Sequence, residues 1–210
     1  VSFICFRGTE PKDLTDWYTD AQVKLRKVYP GIELHRGFLE AYRLVKAKIQ
    51  SWLKKSDGKP FFVCGHSLGG ALAAVTTVLN REISIASCYT FGAPRIGAIN
   101  SDQIKTPVYR VTNALDPIPD LPPATFFISK YRHLGDEYKL HNGLLAPELI
   151  SGDNVIDQIT GSLDEIGSFF QNLFQSKLQE GIRHAIRAKG GAHAKELYVK
   201  QLKAIAEARN

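Results

Sequence analysis

Short runs of apolar residues alternate with helical periodicity along the first half of the chain. Residues 1–6, 61–64, 83–91 and 108–111 are nearly continuous in apolar or β-prone residues. Strands that are covered on both faces have this composition, so the runs predict a mostly parallel sheet.

Helical patterns fill the spaces between these runs. Residues 68–79 are rich in alanine and leucine and predict a helix. Another helix is predicted by one apolar stripe, which comprises Phe38, Ala41, Tyr42, Val45, Ile49, Trp52 and Leu53. Strands that alternate with helices indicate an α/β layered fold.

The second half of the chain has a different pattern of residues. Residues 116–123 are proline-rich and predict a rigid loop, and 126–131 with 137–141 predict a hairpin around Gly135. A helix is expected over 194–208. Since the chain has 210 residues, we expect one domain over 1–210, within which 149–191 is a variable, mostly helical segment.

Composition narrows the class of protein. Hydrophobic residues make up 44% of the chain and charged residues 23%, as in ordinary globular proteins. The net charge of +6 suits a nucleic acid, an anionic membrane or a solvated basic surface. No nucleic-acid-binding motif is present and the cations are spread out, so no nucleic-acid partner is expected.

The cysteines indicate the redox setting. Cys5, Cys64 and Cys88 each lie in an apolar, strand-like run, without the spacing of a disulfide framework or a zinc site. They therefore favour a reducing, cytoplasmic compartment. No apolar run is long enough to span a bilayer. Because the chain opens on a strand and has no methionine, secretion with a removed leader stays open.

The strongest chemical signal is GHSLG at 65–69, which fits G-x-S-x-G. A buried strand leads into it and a helix leaves it, as a nucleophile elbow requires. Gly65 and Gly69 leave room for a sharp turn that exposes the hydroxyl of Ser67, the predicted nucleophile. The neighbouring His66 points elsewhere and is interpreted as a packing and hydrogen-bonding residue.

Several motifs in order resemble the class 3 lipase family, the fungal-type triacylglycerol lipases. They are FRGT at 6–9, HRGF at 35–38, GHSLGGALA at 65–73, FGAPR at 91–95, NALDPIPDLPP at 113–123 and YRHLGDE at 131–137. The resemblance implies an α/β-hydrolase fold with a mostly parallel central sheet flanked by helices. Further structure usually precedes the first of these strands in the family, so the fold is expected to be N-terminally shortened.

The nucleophile needs a base, and the base needs a carboxylate that orients it. In α/β-hydrolases the order along the chain is serine, acid, histidine. Asp116 matches the acid of the family's D-P-x-P segment, and Asp120 in the same loop is the rival. The family's late H-x-x-x-x-Y pattern matches His193 and Tyr198, so His193 is the predicted base.

Three other histidines follow Asp116. His133 is the main alternative base, although its motif is structural in the family; His141 and His184 complete the set. The oxyanion hole is expected to use the backbone N–H groups of Leu68, which follows the nucleophile, and, by resemblance, of Thr9.

Two segments are candidates for contact with substrate. Asp16, Trp17 and Tyr18 form a possible lid by resemblance, and the alternative is a fixed loop helix. Phe169, Phe170 and Phe174 lie on a predicted helical face that either packs in the core or lines the acyl site. Together with nearby cations, they suggest peripheral contact with a membrane or lipid interface.

The resemblance implies a serine esterase of the lipase type that hydrolyses glyceride esters through an acyl-enzyme. The partner is then a lipid or other acyl-ester substrate, and no metal or organic cofactor is expected. A phospholipase A1 and an esterase for short or aromatic acyl groups are alternatives within this class. A catalytically silent lipase-like binding module is the alternative from another class. The sequence does not determine the oligomeric state.

Overall fold

The computed structural model describes residues 1–8, 24–55, 59–122, 125–126, 129–141, 144–150 and 193–207. The strands in these ranges are β1 (Ser2–Phe6), β2 (Leu25–Tyr29), β3 (Ile32–His35), β4 (Phe61–His66), β5 (Ser87–Phe91), β6 (Gly97–Ile99), β7 (Val108–Asn113), β8 (Thr125–Phe126), β9 (Ser129–Lys130), β10 (Asp136–His141) and β11 (Leu144–Ile150). The helices are α1 (Arg36–Lys54), α2 (Leu68–Leu79) and α3 (Lys195–Glu207), with a short 3-10 turn at Ser101–Gln103.

The main sheet has the strand order β1-β4-β5-β7-β10-β11 in the described part of the chain. The first five of these strands are parallel to one another, and β11 is antiparallel to β10. The mostly parallel sheet predicted from the apolar runs is therefore confirmed. Because the strands are parallel, the carboxyl ends of β4, β5 and β7 lie at the same edge.

The core forms where α2 packs against the main sheet and α1 packs on α2. Helix α2 contacts β4 and β5. Phe61 and Val63 of β4 are buried in one hydrophobic cluster with Val75 and Val78 of α2. The predicted stripe on α1 is largely correct, but Trp52 is 55% exposed, because it lies at the margin of the stripe.

The predicted hairpin around Gly135 is wrong. Strand β9 pairs with β8, and β10 instead joins the main sheet parallel to β7. Gly135 has a φ of +87°, and a Cβ there would lie 2.5 Å from the Cβ of Val108. This close approach brings β10 alongside β7 rather than back onto the preceding strand.

Two smaller features complete the described architecture. Strands β2, β3 and β6 form a separate antiparallel sheet. In the chain, β2 and β3 precede the elements that carry the elbow, and β6 follows them. The helix predicted near the end of the chain is confirmed as α3. Among the described helices, none is both long and apolar enough to span a membrane.

Candidate active site

Ser67 lies at the strand-to-helix turn between β4 and α2. Its φ is 57° and its ψ −129°, and it is the single non-glycine residue with positive φ in the described ranges. A Cβ on Gly65 would lie 2.7 Å from the backbone nitrogen of Gly70, and one on Gly69 would lie 2.8 Å from the carbonyl carbon of Phe6. Both glycines are therefore required by close backbone contacts, as the motif predicted.

The hydroxyl of Ser67 is buried but unpartnered. The residue is 0% exposed, and its backbone N–H donates to the carbonyl of Phe91 at 2.9 Å. Its Oγ has no hydrogen-bond partner in the described part of the chain. Most buried polar atoms in native proteins are paired, so such an atom at a strained turn is typical of a reactive centre.

Asp116 and His193 form a buried ion pair or hydrogen bond. Nδ1 of His193 lies 2.8 Å from Oδ2 of Asp116, and the two residues are 2% and 4% exposed. When Nδ1–H donates this hydrogen bond to the carboxylate, the lone pair of the neutral ring lies on Nε2. That Nε2 is buried and, among the described residues, has no hydrogen-bond partner.

The turn after β7 fixes the carboxylate of Asp116. Its Oδ1 accepts from the backbone N–H of Ile118 at 2.9 Å, and its own N–H donates to the carbonyl of Asn113 at 2.9 Å. The hydroxyl of Tyr198 donates to Oδ2 at 2.6 Å and accepts from the N–H of Asn113 at 3.0 Å. Burial, followed by the charge of Asp116, raises the pKa of Tyr198 well above its usual value. The tyrosine therefore stays a hydrogen-bond donor.

Asp120, the rival acid, lies in a different environment. Its side chain is 81% exposed, and a carboxylate oxygen lies 3.8 Å from the guanidinium of Arg95. The structure thus brings Asp116, and not Asp120, into contact with His193.

His66 connects the elbow to the loop that carries His193. Its Nε2–H donates to the backbone carbonyl of His193 at 2.8 Å. The two rings lie 4.8 Å apart, and the ring of Tyr198 meets His66 edge-on at 5.6 Å. Burial, followed by the charge of His193, lowers the pKa of His66. The side chain thus packs and hydrogen-bonds as predicted, and its partner is the backbone of the candidate base.

His133 is half-buried in a different part of the fold. Burial and the charges of Arg110 and Arg95 hold its pKa well below the usual value, and its ring donates to the backbone carbonyl of Pro119. This bond secures the loop that follows Asp116. The side chains of His141 and His184 lie outside the described residues.

Gly92 and Arg95 shape the site, although neither was predicted as a site residue. Gly92 has a φ of +57°, and a Cβ on it would lie 2.8 Å from Oδ2 of Asp116 and 2.9 Å from the hydroxyl of Tyr198. The backbone N–H of Arg95 donates to the carbonyl of Leu121 at 2.7 Å, and its guanidinium donates to those of Asp120 and Pro122. The signal for both residues was the FGAPR motif at 91–95.

Of the two predicted oxyanion donors, Leu68 lies within the described residues. Leu68 is the first residue of α2, so its N–H has no acceptor four residues earlier in the helix. Thr9 lies outside the described residues, but its neighbour Gly8 is close to the elbow. A Cβ on Gly8 would lie 3.2 Å from the Cβ of Ser67.

The remaining predicted site residues belong to the candidate lid and the candidate acyl site. The candidate lid and acyl-site residues lie outside the described residues; they are Asp16, Trp17, Tyr18, Phe169, Phe170 and Phe174. Within the described ranges, no group of three or more histidine, cysteine, aspartate or glutamate side chains could hold a metal ion.

Comparison with known proteins adds independent evidence. A secreted mono- and diacylglycerol lipase of Fusarium solani is 37% identical over 144 residues, which cover 63% of this chain and 42% of that protein. The structure of the Rhizomucor miehei lipase–propeptide complex has 26% identity and a TM-score of 0.60, covering 72% of this chain and 53% of that one. This chain thus spans about half or less of the length of these relatives.

A further solved structure, titled as a triacylglycerol lipase whose catalytic centre is a serine protease triad, has 27% identity and a TM-score of 0.57. It covers 81% of this chain and 69% of that one. These neighbours confirm the α/β-hydrolase fold. Residues 3–126 match the family described as Lipase (class 3), which is more than half of the chain. The chain therefore belongs to the class 3 lipase family.

Proposed function

We propose that this protein hydrolyses the acyl esters of glycerides, with Ser67 as nucleophile, His193 as general base and Asp116 as the residue that orients the base. The observation that carries this proposal is a pair of buried, unpartnered atoms, Oγ of Ser67 and Nε2 of His193. Nδ1 of the same histidine is bonded to Asp116 at 2.8 Å. A nucleophile and a base that are both free to react are what acyl transfer requires.

The first half of the reaction forms an acyl-enzyme. Oγ of Ser67 bonds to the ester carbonyl carbon while its proton passes to Nε2 of His193. Asp116 holds the ring and stabilises the imidazolium that forms. When the tetrahedral intermediate collapses, the bond to the alcohol oxygen breaks, and Nε2 returns the proton to the leaving glycerol oxygen.

The second half regenerates the serine. Nε2 of His193 takes a proton from water, and the hydroxide oxygen bonds to the acyl carbon. The bond to Oγ of Ser67 then breaks, Nε2 gives the proton back to Oγ, and the fatty acid leaves.

The backbone N–H groups of Leu68 and Thr9 donate to the oxyanion in both tetrahedral intermediates. Leu68 suits this role because it is the first residue of α2. Loss of one such donor raises the barrier by about 3 kcal/mol.

The glyceride substrate is supported by the relatives. The Fusarium protein is named a mono- and diacylglycerol lipase, and a structural neighbour is titled a triacylglycerol lipase. We further propose that Asp16, Trp17 and Tyr18 act as the lid, that Phe169, Phe170 and Phe174 line the acyl site, and that these segments contact a lipid surface.

The decisive experiment compares the wild type with Ser67→Ala on a soluble p-nitrophenyl ester. We expect the variant to lose at least about a thousandfold in kcat, because the attacking oxygen is gone. Equal rates in the two proteins would instead indicate a silent binding module. The wild type is then assayed on emulsified di- and triacylglycerols and on phospholipid vesicles. Faster turnover of vesicles would favour the phospholipase A1 alternative over the glyceride proposal.

A further inference from the structure

Two cysteines that the proposed reaction does not use lie against each other on β1 and β4, the second of which leads to Ser67. Sγ of Cys5 on β1 is 3.0 Å from Sγ of Cys64 on β4. The two residues are direct partners in the parallel register of these strands. They lie 59 residues apart in the sequence, so tertiary pairing alone brings the thiols together.

The backbone geometry at this pair suits a disulfide. Adjacent strands lie about 4.8 Å apart, and disulfides join residues whose Cα atoms are about 4.4–6.8 Å apart. The sulfur atoms need to approach by about 1 Å to reach the bonded distance of about 2.05 Å. On the same face, the rings of the paired residues Phe3 and Phe62 stack at 5.3 Å, which holds the register beside the thiols.

The third cysteine cannot join this pair. Cys88 on β5 pairs with Val63, whereas Cys64 pairs with Tyr89. Because successive residues of a strand point to opposite faces, Cys88 lies on the face that the helices cover, where it is 0% exposed. The thiols of Cys5 and Cys64 lie on the other face, where Cys5 is exposed and Cys64 is half-buried.

From this geometry we infer that Cys5 and Cys64 form a modification site, which low-molecular-weight disulfides convert reversibly into a Cys5–Cys64 disulfide that staples β1 to β4. Exposure makes Cys5 the residue that meets the oxidant. Burial, followed by the neighbouring Cys5, raises the pKa of Cys64, so Cys64 is less suited than Cys5 to make the first attack.

The chemistry uses one molecule of oxidised glutathione for each site. The thiolate of Cys5, having lost its proton to solvent, attacks one sulfur of the oxidant and releases one glutathione thiolate. Cys64 then loses its proton to solvent, and its sulfur attacks Sγ of Cys5. The mixed disulfide breaks, and a second glutathione leaves. Two protein thiols are thereby oxidised by two electrons, and one small disulfide is reduced to two thiols.

The proposed Cys5–Cys64 disulfide lies next to the nucleophile elbow. Cys5 immediately precedes Phe6, whose carbonyl carbon is the close backbone contact of Gly69, and Cys64 lies three residues before Ser67. The disulfide therefore ties together the two strands whose carboxyl ends carry the elbow and Gly8. Because it closes a long loop in the unfolded chain, it stabilises the folded state.

The test incubates the full chain with oxidised glutathione, quenches with acid, labels the remaining thiols with a maleimide in denaturant and measures the intact mass. We expect the wild type to carry one label, on Cys88, and no glutathione. The matched variant Cys88→Ala should carry no label and no glutathione. Cys64→Ser should retain glutathione on Cys5, because the resolving thiol is missing. Wild type that keeps glutathione on Cys5, or that keeps three labelled thiols, overturns the proposal.

Thermal unfolding provides the second readout. Oxidation should raise the unfolding midpoint of the wild type by about 5 °C, and dithiothreitol should reverse the rise. Cys5→Ser should show no such rise under the same treatment. An unchanged midpoint in wild type that carries the internal disulfide also overturns the proposed staple.

Discussion

The hydroxyl of Tyr198 and Nδ1 of His193 donate to the same oxygen of Asp116, at 2.6 Å and 2.8 Å. The two donors come from the start of α3 and from the loop just before it, so one short segment supplies both. The carboxylate is therefore held from two directions, and Tyr198 positions the residue that orients the candidate base.

Tyr198→Phe tests this arrangement. The substitution removes one hydrogen bond to a charged group, so we expect kcat on a soluble ester to fall about tenfold with little change in KM. Tyr138→Phe, on a half-buried tyrosine of β10, is the matched control and should retain its rate. Rates that fall equally in both variants would contradict a specific role for Tyr198.

The choice of base is tested by His193→Ala and His133→Ala. We expect His193→Ala to keep its fold and to lose at least about a thousandfold in kcat, since no other group takes the proton from Ser67. We expect His133→Ala to lose about 2 kcal/mol of unfolding free energy, because the bond to Pro119 and buried contacts disappear. Steady-state rates and denaturant titrations measure the two effects. If His133→Ala alone were inactive while folded, His193 would not be the base.

Gly92→Ala tests the crowding at the carboxylate. The new methyl group would lie 2.8 Å from Oδ2 of Asp116, and the backbone has a φ of +57°. We expect kcat to fall at least about tenfold and stability to fall by about 1–2 kcal/mol.

The matched control for that substitution is Gly31→Ala. Gly31 also has a positive φ, of +72°, but the nearest atom to its new methyl group, at 3.0 Å, belongs to the flexible side chain of Gln103. The Gly31→Ala variant should lose a similar free energy of unfolding, because its backbone is strained in the same way, while its kcat is retained. Loss of kcat in both variants would indicate general destabilisation rather than an effect on Asp116.

Stability should fall as the pH is lowered from about 6.5 toward 4, because His35 is buried in its neutral form. Burial lowers the pKa of His35 from 6.5 to about 4, so the unfolded chain binds more protons than the folded chain in this window. The shift corresponds to about 3 kcal/mol, lost progressively as the pH falls. Denaturant titrations across this range measure it.

His35→Asn is the variant that isolates this effect. Nδ1 of His35 accepts from the N–H of Gly37 at 3.1 Å as the N-cap of α1, and an asparagine oxygen can replace that acceptor without titrating. We expect a shallower dependence of stability on pH in the variant. An identical slope in the two proteins would assign the acid sensitivity to other groups, such as His133, whose pKa is also lowered.

The sequence by itself determined the elements and the elbow. The buried strands β1, β4, β5 and β7, the helix α2 and the turn at Ser67 are each formed by contiguous residues, so periodicity and glycines predict them without tertiary contacts. The motif at 65–69 also predicted the two close backbone contacts of Gly65 and Gly69.

Tertiary structure alone decided which distant residues meet. His193 reaches Asp116 across 77 residues, and His66 reaches the carbonyl of His193 across 127. The hairpin around Gly135 was predicted wrongly for the same reason, because the pattern of β10 predicts a strand but does not identify β7 as its partner. Periodicity reports which face of an element is apolar, whereas strand pairing and loop approach are set by packing between elements that are remote along the chain.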